Sequence, residues 1–341
     1  MYCSPQLHPP ATALPTGLRD WLGARLSGPA RGPRHEHRQL CVFALGWVGD
    51  FVLALPGIRL VLGKHAPAGC TLVIAPAVAA LAQTEFPGVE CLLLPVECSS
   101  LARDILPLWW RERARLSSVR HDRLVCFSHQ RPLHYELALS WIDAGQDFRL
   151  LPASYPTMTA GELCTELRAH RELAEQVLGR PVSREEILPR FTGLAPGDDG
   201  RLVVYPFSRD VARNLAPAHV IRVLRLWREG SRAPIVLGGS PAEAPQLRHC
   251  AELARSAGLE ISGIETPHGI DRLLQHVAQA GAVLSADSAA GHIATALDKP
   301  CVVITTPGFF GYCQPWTRSG RQQVFLADAP AGAVAAALPA L

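Results

Sequence analysis

The sequence predicts an α/β protein of two successive domains, each a parallel sheet wound with helices. Three observations carry this reading. Short apolar runs alternate with helix-like stretches over residues 39–127, and the same rhythm restarts at residue 201; such alternation is the pattern of βαβ units. Between the two series, Pro152, Pro156, Pro181, Pro189 and the Gly-rich residues 193–200 punctuate a connection. Residues 283–304 then spell one complete junction: an apolar run, the N-cap signal Asp287-Ser288, a helix over 289–297, the stop Lys299-Pro300 and a second apolar run at 301–304. At 341 residues the chain has room for both domains.

Residues 1–38 read as an appendage. Pro9-Pro10, Pro15, Gly28-Pro29 and Gly32-Pro33 interrupt any long element. A short amphipathic helix over 18–26 would put Trp21, Leu22 and Leu26 on one side, either docked on the body, disordered or touching a membrane surface. The first domain spans 39–155. It opens with a strand over 39–45, a Gly-containing turn over 46–49 and a helix over 50–63. The turn has neither Walker A nor Gly-x-Gly-x-x-Gly spacing, so a plain β–α unit accounts for it. Asp50 is the only acidic residue at this junction, and a helix N-terminus stabilises a carboxylate as the anion. Strands follow at 71–74 and 91–94 around a helix at 77–83. Residues 103–123 form a helical region dense in Arg, with Trp109-Trp110 inside it. That region reads either as a solvated face with an apolar stripe or as a surface for an anionic acceptor at a membrane edge. A strand at 124–127 delivers Ser128, His129, Gln130 and Arg131 to a strand's carboxyl end.

Residues 156–200 connect the halves through a helix over 160–178. The second domain, 201–341, predicts strands at 201–205, 235–237, 260–264, 283–286, 301–304 and 323–326. Its helices fall at 217–229, 243–257, 270–280 and 289–297, with an Ala-rich helix closing the chain. Ligands of open α/β sheets bind at the carboxyl edge, where Asp287 and Ser288 stand, and the free N–H groups of a first helical turn suit a phosphate. His292 lies on the face reached from Ser288 by an i, i+4 step. The same three residues read equally well as an ordinary cap and a satisfied core histidine.

Composition excludes several classes. Net charge is +3, and residues 1–40 alone carry Arg19, Arg25, Arg31, Arg34 and Arg38 against Asp20 and Glu36. The remainder is balanced, which is not the domain-wide basic surplus of a nucleic-acid binder. Ten Cys occur with no Cys-x-x-Cys pair, against a zinc ribbon or redox motif. Cys41, Cys126 and Cys301 sit in apolar runs, as buried thiols of a reducing compartment do. Residues 1–15 lack the apolar core of a signal peptide. The most apolar window, 40–62, carries Asp50 near its middle, at a cost of about 2.5–3.5 kcal/mol for a membrane span.

Four stretches carry a resemblance. Asp287-Ser288-Ala289-Ala290-Gly291-His292-Ile293-Ala294-Thr295-Ala296-Leu297-Asp298-Lys299-Pro300 resembles the donor motif of glycosyltransferase family 9, the ADP-heptose:lipopolysaccharide heptosyltransferases. Asp287, Ser288, His292, Lys299 and Pro300 match; Ala289 stands where the family has Gly, which changes how closely the backbone approaches a diphosphate. Gly49-Asp50-Phe51-Val52-Leu53-Ala54-Leu55-Pro56-Gly57-Ile58-Arg59 is similar to the family's amino-terminal signature. The segment from Pro206 to Leu215 resembles one with Ser/Thr residues and a Lys before Trp-Pro. Here Ser208 matches, Arg213 replaces the Lys, and Asn214-Leu215-Ala216 departs from the pattern. Arg forks bidentately where Lys is a point charge, so that exchange is not neutral. Leu237-Gly238-Gly239-Ser240-Pro241-Ala242-Glu243 is similar to a Gly-Gly-x-x-x-Glu segment, although Gly-Gly is also simply a tight strand–helix turn. The stretches stand in the family's order across residues 40–330.

The resemblance implies the GT-B fold, two Rossmann-like doubly wound domains facing a cleft. A nucleotide-diphospho-sugar, ADP-heptose foremost, would lie on the second domain among Ser208, Arg213, Glu243, Asp287, Ser288, Ala289 and His292. Asp50 would be the general base. The acceptor would be a glycan or glycolipid such as lipopolysaccharide core, with Gln130, Arg131 and Arg113 beside it. No cofactor and no metal are expected: Arg213 and a helix N-terminus would balance the leaving diphosphate. The expected location is cytoplasmic, with a peripheral contact at the inner face of the membrane. Two rivals stand. A hydrolase would use Asp287, Ser288 and His292, but Gly239-Ser240-Pro241-Ala242 lacks the second Gly of a nucleophile elbow. A non-catalytic nucleotide-sugar-binding homologue is kept open by Ala289, Arg213 and the missing Trp-Pro, as are a different donor and a protein acceptor.

Overall fold

The computed structural model describes residues 36–97, 101–128, 133–150, 163–312, 314 and 316–341, with backbone alone at 101, 102 and 133. The amphipathic helix expected at 18–26, and His129, Gln130 and Arg131, lie outside the described residues. The chain packs as two compact units that are not contiguous in sequence. The second takes in Val48–Leu55, the described part of 155–168 and Ile187–Leu341; the first holds the rest.

The first unit is built on five parallel strands: β1 (Glu36–Phe43), β2 (Cys70–Ile74), β3 (Glu90–Leu93), β4 (Val119–Cys126) and β5 (Asp143–Arg149), in the order β3-β2-β1-β4-β5. Its helices are the part of α1 (Val48–Leu62) after Leu55, α2 (Ala79–Glu85), α3 (Leu106–Ser117), which a short π turn at Leu101–Ile105 precedes, α4 (Leu133–Trp141), the part of α5 (Thr165–Leu178) after Arg168, and the single turn α6 (Arg184–Ile187). The central strand β1 is buried over Leu40, Cys41, Val42 and Phe43 because both of its neighbours are parallel and both of its faces are covered.

Two expectations are corrected here. The helical region expected over 103–123 ends at Ser117, and 119–123 is the first half of β4. Its charged residues pair with the equally polar start of β1: His37 Nε2 lies 2.9 Å from Asp122 Oδ1, and buried His121 shares a hydrogen bond with Thr71 Oγ1 at 3.1 Å. Cross-strand partners, not an apolar run, extend both strands. The second correction is that α4 and β5 lie where no element was read. β5 is the polar edge strand Asp-Ala-Gly-Gln-Asp-Phe-Arg, in which Arg149 Nε donates to Asp147 Oδ2 at 2.8 Å; a charged edge carries no hydrophobic signal.

The second unit holds six parallel strands: β6 (Leu202–Tyr205), β7 (Ile235–Gly238), β8 (Gly263–Glu265), β9 (Ala282–Ala286), β10 (Cys301–Thr305) and β11 (Gln322–Leu326), ordered β11-β10-β9-β6-β7-β8. Four helices lie between strands, α7 (Pro217–Gly230), α8 (Ala244–Ser256), α9 (Gly269–Gln279) and α10 (Ala289–Ala296), and α11 (Ala331–Ala337) follows the last strand. Strand residues alternate between faces. Leu202, Val204, Ile235, Leu237, Leu284, Val302 and Ile304 pack with Val220, Leu224 and Trp227 of α7, Leu247 and Cys250 of α8 and Val334 of α11. Each such side chain, fully buried, contributes about 1.5–3 kcal/mol. The other face sits under α9 and α10, with Tyr205 against His276 and Gly291 against Val303. The strand order reverses between β9 and β6, the switch point where such sheets bind ligands.

Within the first unit, Gly57 of α1 lies under the Phe127 ring. A Cβ there would sit 2.5 Å from Phe127 Cε1, and that ring is buried. Gly57→Ala should therefore lose about 1–3 kcal/mol through overpacking, despite the roughly 1 kcal/mol that Ala gains in a helix interior. Urea unfolding measures the difference, and equal or greater stability would show that the ring yields.

Candidate active site

The carboxyl edge of the second sheet gathers the ends of β6, β7, β9 and β10. Register sets them level: Tyr205 pairs with Ser285, and Ile304 with Ala286. From β6 runs the loop to α7. There Asp210 accepts from Ala212 N at 3.1 Å and opens a single 3-10 turn, Val211–Arg213. Asn214 Oδ1 accepts from Ser208 N at 2.7 Å and ties the loop shut. Asn214 thus has a structural task where the family pattern carries a different residue. Arg213 leaves this turn with its guanidinium 4.8 Å over the Phe309 ring and its Nε 3.7 Å from Asp210 Oδ2.

From β7 runs Gly238-Gly239-Ser240. A Cβ on Gly238 would meet the Tyr205 ring at 2.7 Å, so glycine is what allows that close approach. Glu243 turns back to accept from Ser240 N at 2.6 Å. One carboxylate oxygen, Oε2, is thus occupied by the cap.

β9 ends at Asp287, which has no exposed surface. Its N–H donates to Ile304 O at 3.1 Å, and its Oδ2 accepts from Thr305 Oγ1 at 3.2 Å. Oδ1 has no hydrogen-bond partner and stands 3.7 Å from His292 Nε2. Ser288 is the N-cap residue of α10, but its side chain makes no cap bond; its Oγ lies 3.0 Å from Ser285 Oγ. The N-terminus of α10, where Ala289 is the first helical residue, therefore keeps its donors for something else.

His292 is buried and gripped at Nδ1 by two side chains from the loop after β10. Trp316 Nε1 donates to it at 3.2 Å, and Gln314 Nε2 lies at 3.2 Å. Burial pushes the imidazole below its usual value, outweighing the carboxylates of Asp287 and Glu166, which pull it up; Arg213 adds to the lowering. The ring is neutral at pH 7. Gln314, Trp316 and Thr305 were not among the residues read from the sequence. Their signal was absent because a polar or aromatic residue in a loop matches no motif; only the fold brings them to His292.

The first turn of α1 belongs to this same unit. Gly49 lies against α10: a Cβ there would be 3.2 Å from His292 Cδ2 and 3.9 Å from Ala289 Cα. Asp50, next along, is half-buried in the first turn of α1. The structure thus brings Asp287, Ser288, Ala289, His292, Ser208, Arg213 and Asp50 into one unit, with Glu243 at the β7 end of the same edge. Arg113 lies on α3 in the other unit, next to Trp109, with its guanidinium 5.0 Å over that ring. Lys299, although part of the motif, is not at this edge. It is buried at the opposite end of β10, donating to Gly197 O and, at 3.0 Å, to Ala278 O. Among the described residues, no group of three or more His, Cys, Asp or Glu is placed to hold a metal ion.

Residues 223–331 match the family model described as glycosyltransferase family 9 (heptosyltransferase). Among solved structures, the heptosyltransferase WaaC of E. coli with ADP superposes with a TM-score of 0.63 at 15% identity, covering 86% of this chain and 94% of that one. The E. coli ADP-heptose lps heptosyltransferase II gives 0.54 at 15% identity, covering 84% and 90%. A family 9 glycosyl transferase from Veillonella parvula DSM 2008 gives 0.56 at 14%, covering 88% and 89%. No curated protein sequence matches significantly. Two parallel sheets in this topology and these likenesses define the GT-B fold. More narrowly, residues 223–331 resemble a glycosyltransferase family 9 (heptosyltransferase) domain.

Thr305→Val removes the one described donor to the Asp287 side chain while keeping shape. A buried carboxylate left without that bond should cost about 1–3 kcal/mol. Chemical denaturation checks it; an unchanged midpoint would show that Oδ2 is satisfied otherwise.

Proposed function

We propose that this chain transfers a heptose from ADP-heptose to a hydroxyl of a glycan or glycolipid such as lipopolysaccharide core. The observation that carries the reading is the start of α10, where Ser288 makes no side-chain cap bond, in the region that matches the family model; Arg213, on the loop after β6, is near enough to act electrostatically on His292 of the same helix. A free helix N-terminus and a guanidinium are what a leaving diphosphate needs. Two similar structures have ADP or ADP-heptose in their names, which favours an adenine donor.

In this reading Asp50 is the general base. Held as the anion at the N-terminus of α1, it takes the proton from the acceptor hydroxyl as that oxygen attacks the anomeric carbon. The bond to the diphosphate breaks, and Arg213 with the α10 amides takes up the charge released. Ser208 and Ser288 supply hydroxyl donors to the phosphates, and Glu243 Oε1 accepts from the ribose hydroxyls. No metal and no cofactor enter this scheme. His292, buried and neutral, shapes the site rather than titrating in it.

The acceptor side is proposed to involve Gln130, Arg131 and Arg113, with α3 resting on an anionic membrane. Trp110 is 80% exposed and Leu106 42%, on one flank of the exposed face of α3, and exposed Arg111 and Arg115 stand on its other flank. An apolar edge flanked by guanidinium groups suits a headgroup layer. No helix among the described residues is long and apolar enough to cross a membrane.

Two measurements test this. Thermal shift with ADP, UDP and GDP should give stabilisation by ADP, about 2.7 kcal/mol at 100 times its Kd, much reduced in Arg213→Ala. Asp50→Asn should keep that ADP shift and lose about 10²–10⁴ in kcat, the usual share of general-base help. A response to UDP or GDP alone would change the donor, and Asp50→Asn without kinetic effect would remove the base. For the membrane contact, co-sedimentation with vesicles containing anionic lipid should fall several-fold in Trp110→Ala; equal binding of wild type and variant would dismiss α3 as the contact.

A further inference from the structure

His292 has a fixed tautomer, and the residues that fix it lie far along the chain. Indole N–H is a donor only. With Trp316 Nε1 donating to Nδ1 at 3.2 Å, Nδ1 must present a lone pair. Gln314 then offers its amide nitrogen to the same atom at 3.2 Å, since its oxygen there would face that lone pair. The indole and imidazole planes lie within 9° of one another, with centroids 6.3 Å apart, so the bond runs in the ring plane. The proton of the neutral ring consequently sits on Nε2, the edge that faces Asp287 Oδ1 at 3.7 Å and borders Gly49 of α1.

The holders are themselves held. The loop carrying Gln314 and Trp316 accepts two backbone bonds from the start of α5, Thr165 N to Gly311 O at 2.9 Å and Glu166 N to Tyr312 O at 3.1 Å. Gln314 and Trp316 are both buried. Around the ring stand Asp287, just after β9, and Gly49 in the first turn of α1, with Glu166 on α5 and Arg213 from the loop after β6 near enough to act on it electrostatically.

Resting on the transferase reading above, we propose that Trp316 and Gln314 are positioning residues: they lock His292 in its Nε2–H form, and the locked ring sets the first turn of α1, and with it Asp50, against the start of α10. The mechanism is steric and electrostatic together. With the proton on Nε2, the edge facing Asp287 attracts its carboxylate, and the Cδ2–Nε2 edge stays against Gly49. With the proton on Nδ1, a lone pair would face the carboxylate and the pair would part. The steric half of this lies at Gly49, whose missing side chain leaves the ring its space: a Cβ there would stand 3.2 Å from His292 Cδ2.

The test is Trp316→Phe, which keeps the aromatic ring and removes the N–H, with Gln314→Met as a second variant should the first fold poorly. Long-range ¹⁵N–¹H correlation on histidine-labelled protein reads the tautomer directly. Wild type should show His292 as Nε2–H, and Trp316→Phe should populate the Nδ1–H form. Amide exchange over residues 49–53 should speed by at least tenfold in the variant, with the β6 and β7 amides unchanged. Where transfer is measured, kcat should fall about tenfold with donor KM within twofold. A wild-type ring found as Nδ1–H overturns the lock. A changed tautomer with unchanged exchange at 49–53 overturns the positioning. Lack of turnover in the wild type would count against the transferase reading alone, since tautomer and exchange are read without substrate.

Discussion

A carboxylate with no exposed surface is the most expensive group at the carboxyl edge of the second sheet. Asp287 is placed there by the chain itself: its N–H completes the parallel ladder with β10 at Ile304, so the side chain is carried inward with the strand. A buried charge is tolerated only with partners. Thr305 gives one hydroxyl, and the Nε2 edge of His292 faces the other oxygen. From this follow the neutral histidine, its two donors at Nδ1, and the glycine at position 49 that leaves the ring its space. Ser288 makes no cap bond and turns its hydroxyl to Ser285 instead. The edge is arranged around one costly group, and the cost is met by residues on β10, on α10 and in the loop beyond.

Much of the fold was legible because both sheets are parallel. Buried parallel strands are short apolar runs, and 202–205, 235–238, 282–286 and 301–305 announce themselves in that way. The strands that escaped, β5 and the first half of β4, are polar. β5 lies at the sheet edge and β4 starts among ion pairs, so each is stabilised by partners far away in sequence instead of by its own hydrophobicity. The helix start at Thr165 rather than near 160 is the ordinary uncertainty of a helix boundary without a strong cap.

The candidate site was legible in part, for a related reason. Asp287, Ser288 and His292 lie on one strand–helix junction, so their spacing alone brings them together. Arg213 and Ser208 stand on one short loop. Gln314, Trp316 and Thr305 join them only through the β9–β10 pairing and the return of the chain after β10. Lys299 shows the reverse case: it stands in the motif, yet its ammonium closes backbone carbonyls at the amino end of the sheet. Proximity in a motif marks a shared element, and the two ends of that element serve different purposes.

The second unit borrows eight residues, Val48–Leu55, from far up the chain. Linear order and spatial membership therefore disagree, and the gene cannot be cut between the two series of strands without removing one wall of the histidine's chamber. A fragment starting at residue 201 would keep all six strands yet expose the flank of His292 and Ala289 where Gly49 now rests. The amino-terminal half is in this sense a structural donor to the carboxyl-terminal half, and loss of the first turn of α1 would be felt as a wet, loosened ring at the far end of the polypeptide.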